Sequence, residues 1–373
     1  MKIAMIGHKR IPGRSGGFEV VVEELSTRMA EKGHEVTAYN RNCGEEKLKT
    51  YKGVKIAEVR TFKKQALNAM VYSFAATLRC IFTRCDVMHY HAEGPCAMIP
   101  LAKLFGKKVV ATVHGLDWQR NKWGGFASKY ILFGEKMAVK HADKIIVLSQ
   151  NVQRYFMDTY GRETEFIPNG ICPVTAQPAE LIKEKFGLEK DSYILFLARI
   201  TPEKGLDYLI EAYKALQTDK KLVIAGAITP ETDYVRSVLE KAKGDDRIVF
   251  TDFVSGKLLA ELFSNCFVYV LPSDIEGMPM SLLEAVGYDA RVIISDIPEN
   301  TACVDGYGNA FAHSDAKALK EVLARCLANA DRKDCDFKAD LTPEQVQEKR
   351  AQLMAAYDWD SITDRTLALY QTI

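Results

Sequence analysis

A change of hydrophobic period in the second half constrains this chain more than any other feature. Residues 267–271 form an unbroken apolar run, the pattern of a buried parallel strand. Pro272, Ser273 and Asp274 break it, and Gly277 and Pro279 punctuate a turn. From 280 to 288 the period becomes helical, with Pro279 near its first turn. The same strand-to-helix change recurs along the chain. Strands are expected at 2–7, 35–39, 86–91, 108–114 and 142–149, and again at 193–198, 221–226 and 291–295. Helical patterns fall at 19–32, 61–83, 129–141, 206–217, 231–243, 258–265, 314–330, 342–356 and 359–370. Such alternation predicts an α/β fold with parallel sheets. Two Pro within 172–178 mark a linker.

Glu276 and Glu284 bracket the loop after the 267–271 strand. Between them, Gly277, Met278, Pro279, Met280 and Ser281 lead into a helix N-terminus, where backbone N–H groups can hold an anion. In open α/β sheets ligands bind at this end of the strands. On its own, the pair could also be a solvated loop carboxylate and one favoured by the helix dipole. The spacing, with EG in front and SLLEA behind, resembles the nucleotide-sugar motif of retaining glycosyltransferases of family 4, which have the GT-B fold. The resemblance implies that Glu276 contacts the donor sugar and Glu284 the ribose hydroxyls.

Further blocks carry the same resemblance in order: SGGFE at 15–19, TVH at 112–114, VLS at 147–149, IPNG at 167–170, and Arg199 followed by Lys204-Gly205. By resemblance Arg199 and Lys204 neutralise the leaving diphosphate, which is electrostatic stabilisation of transition-state charge. His114 at a strand end lies near the transferred sugar. Gly16 and Gly17 let backbone approach the donor phosphates or the acceptor. Phe253 and Val254 line the base. Glycine is usual in the family where this chain has Asp252, which leaves the base contact open, and where it has Asp289, a departure that bears on the helix end more than on the chemistry. The loop 116–126, with Asp117, Trp118, Arg120, Lys122 and Trp123, reads as an acceptor-side loop or an ordinary surface loop.

The fold implied is two Rossmann-like domains facing across a cleft. An acceptor-binding domain would span 1–171 and a nucleotide-sugar-binding domain 172–356, with a C-terminal helix, 357–373, crossing back to the first. A dinucleotide enzyme is disfavoured, because the first loop lacks a compact GxGxxG and the second strand ends in Asn40-Arg41 rather than an acid. No DxD-type pair follows a strand, so no metal or other cofactor is expected beyond the donor substrate, a UDP- or dTDP-linked sugar. The acceptor expected is a glycan or lipid-linked glycan of surface polysaccharide synthesis, since the opening HKRIPGRSGGFE and EGMPMSLLEA look most like bacterial enzymes of that kind, some of them rhamnosyltransferases. A nucleotide-sugar epimerase of the same fold and an inert sugar-nucleotide-binding protein are the alternatives.

Charge divides unevenly. Residues 1–170 hold 27 Lys and Arg against 16 Asp and Glu, whereas 171–373 hold 23 against 33. The basic half carries the amphipathic pattern at 61–83, with Lys63, Lys64, Arg79 and Arg84 at its ends. Lys103, Lys107 and Lys108 lie beside apolar Leu101, Leu104 and Phe105. Such a domain could meet an anionic membrane surface and a lipid-linked diphosphate. Nine scattered Cys without a CxxC pair fit free thiols in a reducing cytosol. With no membrane span or signal peptide in view, the expected location is the cytoplasm, with peripheral contact at the inner face of the membrane.

Overall fold

The computed structural model describes residues 1–13, 17–61, 65–119, 125–229, 231–329 and 342–373. It divides into two compact units, Met1–Gly170 with Tyr357–Ile373, and Ile171–Ala356.

The first unit holds an eight-stranded sheet. Its strands are β1 (Lys2–Ile6), β2 (Glu35–Asn42), β3 (Thr50–Tyr51), β4 (Val54–Arg60), β5 (Val87–His91), β6 (Lys108–Val113), β7 (Lys144–Val147) and β8 (Glu165–Phe166), in the order β3-β4-β2-β1-β5-β6-β7-β8. All neighbours pair in parallel except the short β3 beside β4. β1 and β5 are buried almost throughout, because helices cover both faces of a parallel sheet. The chain builds outward from β1 through β2 to β4, then returns to place β5 on β1's other side. That reversal opens a crevice at the carboxyl ends of β1 and β5. Gly7 follows β1 at φ +126°, and a Cβ there would stand 2.2 Å from His91 O, so only glycine fits this close approach.

The helix Trp359–Gln371 belongs to this unit. Asp358 caps it by accepting from Ser361 N–H at 2.8 Å. Trp359, Ile362, Thr366 and Tyr370 are buried at three- and four-residue spacing, one face of a helix. Arg28 pairs with Asp360 at 3.3 Å and Lys32 with Asp364 at 2.8 Å, tying it to the helix Gly17–Glu31.

The second unit holds six parallel strands. They are β9 (Tyr193–Leu197), β10 (Lys221–Ala225), β11 (Ile248–Phe250), β12 (Val268–Leu271), β13 (Val292–Ser295) and β14 (Asn309–Phe311), ordered β11-β10-β9-β12-β13-β14. Its core joins Ile194, Phe196, Leu222, Ile224, Val268 and Val270 to helix residues Leu206, Leu209 and Leu323. Each such side chain contributes about 2 kcal/mol by leaving water. Here the reversal lies between β9 and β12, so the crevice opens after Leu197 and Leu271.

Several elements exceed the sequence reading. β3, β4, β8, β11 and β14 were not among the expected strands, nor Glu93–Cys96, Ile99–Leu104, Gln150–Tyr160, Leu181–Phe186 and Pro298–Val304 among the expected helices. The helix expected over 61–83 spans Gln65–Ile81.

Candidate active site

In the second unit, β9 delivers Arg199 and the turn that follows delivers Lys204. The turn is a short 3-10 segment, Pro202–Lys204, closed by Gly205 at φ +63°. A Cβ on Gly205 would stand 2.0 Å from Pro272 O, so this turn lies directly on the loop leaving β12. Asp274 N–H donates to Glu203 O at 3.0 Å and locks the two loops together. Lys204 Nζ then reaches Glu276 Oε1 at 2.5 Å, with both side chains largely buried. Ser273 Oγ donates to the same oxygen at 2.7 Å. Ser273 is itself held through its carbonyl, which accepts from Ser295 Oγ at 2.5 Å.

Arg199 differs. Its side chain is 48% exposed and its nearest carboxylate oxygen, Glu203 Oε1, is 3.7 Å away. Glu203 is buried, and among the described residues neither of its carboxylate oxygens finds a hydrogen-bond donor. Sequence reasoning did not select this residue. Between a proline and a lysine in a turn it reads as solvated, and only the fold buries it behind Arg199. Among the described residues no cluster of His, Cys, Asp or Glu has the arrangement to hold a metal ion.

Glu284 sits in the first turns of the helix Met280–Gly287, half-buried. The expected row of open N–H groups from Gly277 to Ser281 is shorter in the structure. Met280 N–H closes on Met278 O at 3.0 Å, because Pro279 bends the chain before the helix begins. Ser281 Oγ accepts from Tyr269 OH at 2.8 Å. Phe253 and Val254 follow β11 at the same edge of the sheet. Phe253 is 58% exposed and Val254 is buried.

Both departures from the family glycines have a backbone reason. Asp252 and Asp289 have φ +60° and +62°, the left-handed region that favours Gly and tolerates Asp. Asp252 Oδ1 accepts from Ile228 N–H at 3.1 Å and from Phe253 N–H at 2.8 Å. Asp289 accepts from Gln347 Nε2 at 3.0 Å.

In the first unit, His114 follows β6 and Gly17 opens the helix Gly17–Glu31. Gly17 is exposed, and the next residue, Phe18, sets its ring edge-on to His114 with centroids 4.7 Å apart. The structure thus brings the described end of the SGGFE segment onto the histidine. Gly16 lies outside the described residues, as do Arg120, Lys122 and Trp123 of the 116–126 loop. Trp118 is described, and its indole N–H donates to the buried Glu135 at 3.1 Å.

Three more histidines surround His114 without having been singled out. His91, at the end of β5, places Nδ1 3.2 Å from His114 Nε2. His89 stacks against His91 with centroids 4.0 Å apart. Its Nδ1 meets Tyr370 OH and its Nε2 meets Thr112 Oγ1, both at 2.6 Å. His8, after β1, bonds Asn40 Oδ1 through Nε2 at 3.0 Å. Burial lowers the pKa of His8 to about 4 and of His89 to about 3, and pushes His91 well below the usual range. Glu93 is fully buried beside Asp117, and desolvation holds its carboxyl well above the usual range. Its Oε1 accepts from Asp117 N–H at 3.1 Å and fixes the turn after His114.

Two Rossmann-like sheets, each with its candidate side chains at the reversal of strand order, are the GT-B architecture. Solved structures bear this out as to fold. Sucrose-phosphate synthase from Thermosynechococcus elongatus superposes with a TM-score of 0.81 at 19% identity, covering 100% of this chain and 98% of that one. Anabaena HepE in complex with UDP-glucose gives 0.80 at 16% identity, covering all of both chains. The halves of the chain place it more narrowly. Residues 15–173 match the model of Glycosyltransferase Family 4, and residues 178–340 match Glycosyl transferases group 1. The chain is therefore a glycosyltransferase of the family 4 kind. It is similar to an uncharacterized glycosyltransferase of Methanocaldococcus jannaschii, 25% identical over 100% of this chain and 98% of that protein. An alpha-maltose-1-phosphate synthase of Mycolicibacterium smegmatis is 27% identical over 72% of this chain and 74% of its own length. The match to an uncharacterized glycosyltransferase of Bacillus subtilis spans 59% of that protein at 28% identity.

Proposed function

We propose that the second unit binds a nucleoside-diphosphate sugar, UDP- or dTDP-linked, and that the first unit binds the acceptor. The enzyme then transfers the sugar with retention and without a metal. The observation that carries this is the gathering of these groups along one sheet edge. Phe253 and Val254 stand after β11, Arg199 and Lys204 after β9, and Glu276 and Glu284 after β12. The base would lie by Phe253 and Val254, the diphosphate against Arg199 and Lys204, and the ribose and sugar by Glu284 and Glu276. The backbone N–H groups of Gly277 and Ser281 would add donors to the phosphate end.

In the reaction, the bond from the anomeric carbon to the phosphate oxygen breaks and its electron pair leaves with the diphosphate. Arg199 and Lys204 stabilise that charge. The acceptor oxygen forms the new bond on the same face, and its proton passes to the departing phosphate oxygen. His114 would hold a sugar hydroxyl. HepE, a neighbour in fold, is described with UDP and with UDP-glucose, in keeping with such a donor. The test is a panel of UDP- and dTDP-sugars read by thermal shift and by release of nucleoside diphosphate, with and without chelator. A chelator that abolishes release, restored by a divalent ion, overturns the metal-free reading. Conversion of a donor incubated without acceptor into its epimer would instead identify an epimerase. Donor binding without turnover under every acceptor tried would identify an inert binding protein.

A specific surface favours peripheral contact with the cytoplasmic face of a membrane, and a lipid-linked glycan of surface polysaccharide as acceptor. Val71, Phe74, Leu78 and Phe82 recur along one face of the 65–82 segment, and Val71, Phe74 and Phe82 are exposed. Phe82 meets Phe105 edge-on at 6.3 Å, and Leu104 beside it is 80% exposed. Arg79 and Lys107 border this strip and donate to backbone oxygens of Glu58 and Thr83. Neither has a carboxylate partner among the described residues. A second copy would bring like charges together, whereas anionic lipid complements them by about 1 kcal/mol per cation. Lys63 and Lys64 lie outside the described residues, Lys103 pairs with Asp143 at 2.8 Å, and Lys108 bonds the carbonyl of Ile373. The Phe82–Phe105 end lies by the first residues of β5 and β6, the opposite sheet edge from His114. It suits anchoring rather than meeting the acceptor's diphosphate. Among the described residues no helix is long and apolar enough to cross a membrane. Co-sedimentation with vesicles containing phosphatidylglycerol, at low and high salt, tests this. Equal binding by wild type and by a Phe82→Ser, Leu104→Ser variant would sink it.

A further inference from the structure

We infer that His91 is a positioning residue for His114: its Nδ1–H donates to His114 Nε2 and fixes His114 as the tautomer that carries its proton on Nδ1. This rests on the reading of His114 as a sugar-binding group, and it adds a residue that touches no ligand.

The inference comes from counting ring protons. His91 is fully buried, and several described groups pack on it. His89 lies against it on its own strand, His8 approaches from the end of β1, and His114 from the end of β6. Phe18 stands edge-on at 6.2 Å. Arg41 acts on His8 and donates to Gly7 O. Among the described residues no carboxylate acts on His89 or His91 to stabilise an imidazolium, so a buried His91 is neutral and holds one proton.

That proton has two places. On Nε2 it would be an N–H with no acceptor, because His91 Nε2 has no partner among the described residues. On Nδ1 it donates to His114 Nε2 at 3.2 Å, and only a lone pair is left unmatched. Buried donors without acceptors are rarer than buried acceptors without donors, so the second arrangement holds. His8 shows the same preference: its Nε2 meets the Asn40 oxygen and its unmatched atom is Nδ1.

His91 is in turn held by a fixed base. His89 is pinned at both nitrogens by Thr112 and Tyr370 and stacks under His91. The ring therefore cannot swing away from His114 without breaking a packed column. The consequence for the site is directional. With Nε2 already accepting, His114 offers its donor from Nδ1, the polarity that a sugar hydroxyl oxygen needs.

The experiment uses the full chain labelled with 15N-histidine, read by long-range proton–nitrogen correlation, with His114→Ala to assign the His114 signals. The expected result is an Nδ1–H tautomer for His114 in the wild type. Asn at position 91 can place its amide nitrogen where Nδ1 stood, whereas Leu fills the volume without a donor. His91→Asn should keep that tautomer and His91→Leu should lose it. Nucleoside diphosphate release is measured with whichever of UDP-glucose and dTDP-rhamnose stabilises the protein more. His91→Leu should lower kcat at least tenfold with KM for the donor within twofold, and His91→Asn should return kcat to within threefold of wild type. An Nε2–H tautomer in the wild type overturns the proposal, as do equal rates for Leu and Asn, which would mean packing only. Full activity in His114→Ala would overturn the sugar-binding reading separately, leaving the tautomer measurement to judge His91.

Discussion

The two sheet ends solve opposite electrostatic problems. At the end of β9 and β12 the groups are formally charged, and Lys204 with Glu276 keeps its charge under cover by pairing. At the end of β1, β5 and β6 four histidines crowd together, and burial strips the charge from at least three of them. The difference matches what each end is proposed to hold. A departing diphosphate calls for fixed cations, whereas a sugar ring calls for neutral donors and acceptors in set directions. One end is built by ion pairing between loops, the other by stacking rings on a strand.

Acid should separate the two ends most. His8 and His89 have folded pKa values of about 4 and about 3 against 6.5 unfolded, and His91 is lowered likewise. The unfolded chain therefore binds these protons first. Stability is full above pH ~6.5 and falls as pH drops through 6.5 toward about 4 for His8 and about 3 for His89. All three losses run in the same direction and add. Hydrogen exchange across this range should show the first unit opening before the second. If Ile171–Ala356 exchanges first, the contrast between the ends is wrong.

Next in size is the ion pair. Lys204→Ala removes a cation from the diphosphate and leaves Glu276 without its partner. It should slow transfer by more than a hundredfold, about 3 kcal/mol. Glu276→Ala should lower turnover with little change in nucleotide affinity. The more exposed Arg199 should lose less than Lys204 on replacement by Ala. Equal losses for the two cations would mean that burial does not distinguish them, and kcat/KM for each variant decides this.

Glu284→Ala should weaken nucleoside diphosphate binding by about tenfold, 1–2 kcal/mol for a charge-assisted hydrogen bond. Calorimetric titration measures it, and unchanged affinity would remove Glu284 from the ribose. His114→Ala should leave that same affinity unaltered, since it belongs to the other end.

The smallest effect concerns the two aspartates at positive φ. Asp289→Gly relieves a left-handed conformation and loses only exposed contacts. It should stabilise by about 0.5–1 kcal/mol, a Tm rise of roughly 2 °C. Asp252→Gly also loses two N–H acceptors and should give no gain. A larger gain at 252 than at 289 would show that those hydrogen bonds contribute nothing.

The second unit's end was largely legible because its signals are local. Pro272, Gly277, Glu276 and Glu284 lie within one strand-loop-helix passage, and Arg199 and Lys204 within one turn. The first unit's end was not. His89 finds Tyr370 at a distance of 281 positions, and His91 finds His114 across a strand pairing that composition does not reveal. Glu203 and Glu93 read as surface acids until the fold buries them. β4 starts an alternation at Val54 and Ile56 that Glu58 and Val59 break, and a two-residue partner strand gives it no hairpin signal of ordinary length. The helices at Glu93–Cys96 and Ile99–Leu104 are too short for a 3.6-residue period to stand out.

Tyr370 has one more consequence, in the order of synthesis. The first unit is interrupted in sequence, since Tyr357–Ile373 joins it only after Ile171–Ala356. Until then the slot beside Gly170, where a Cβ would strike the Trp359 ring at 2.5 Å, has no occupant. His89 likewise waits for its hydroxyl. On the ribosome, the sheet that begins the chain cannot finish its histidine column before the sheet translated after it has emerged. The first half thus depends on the tail for completion, and a chain that ends before Tyr370 leaves the histidine column of the first unit unfinished.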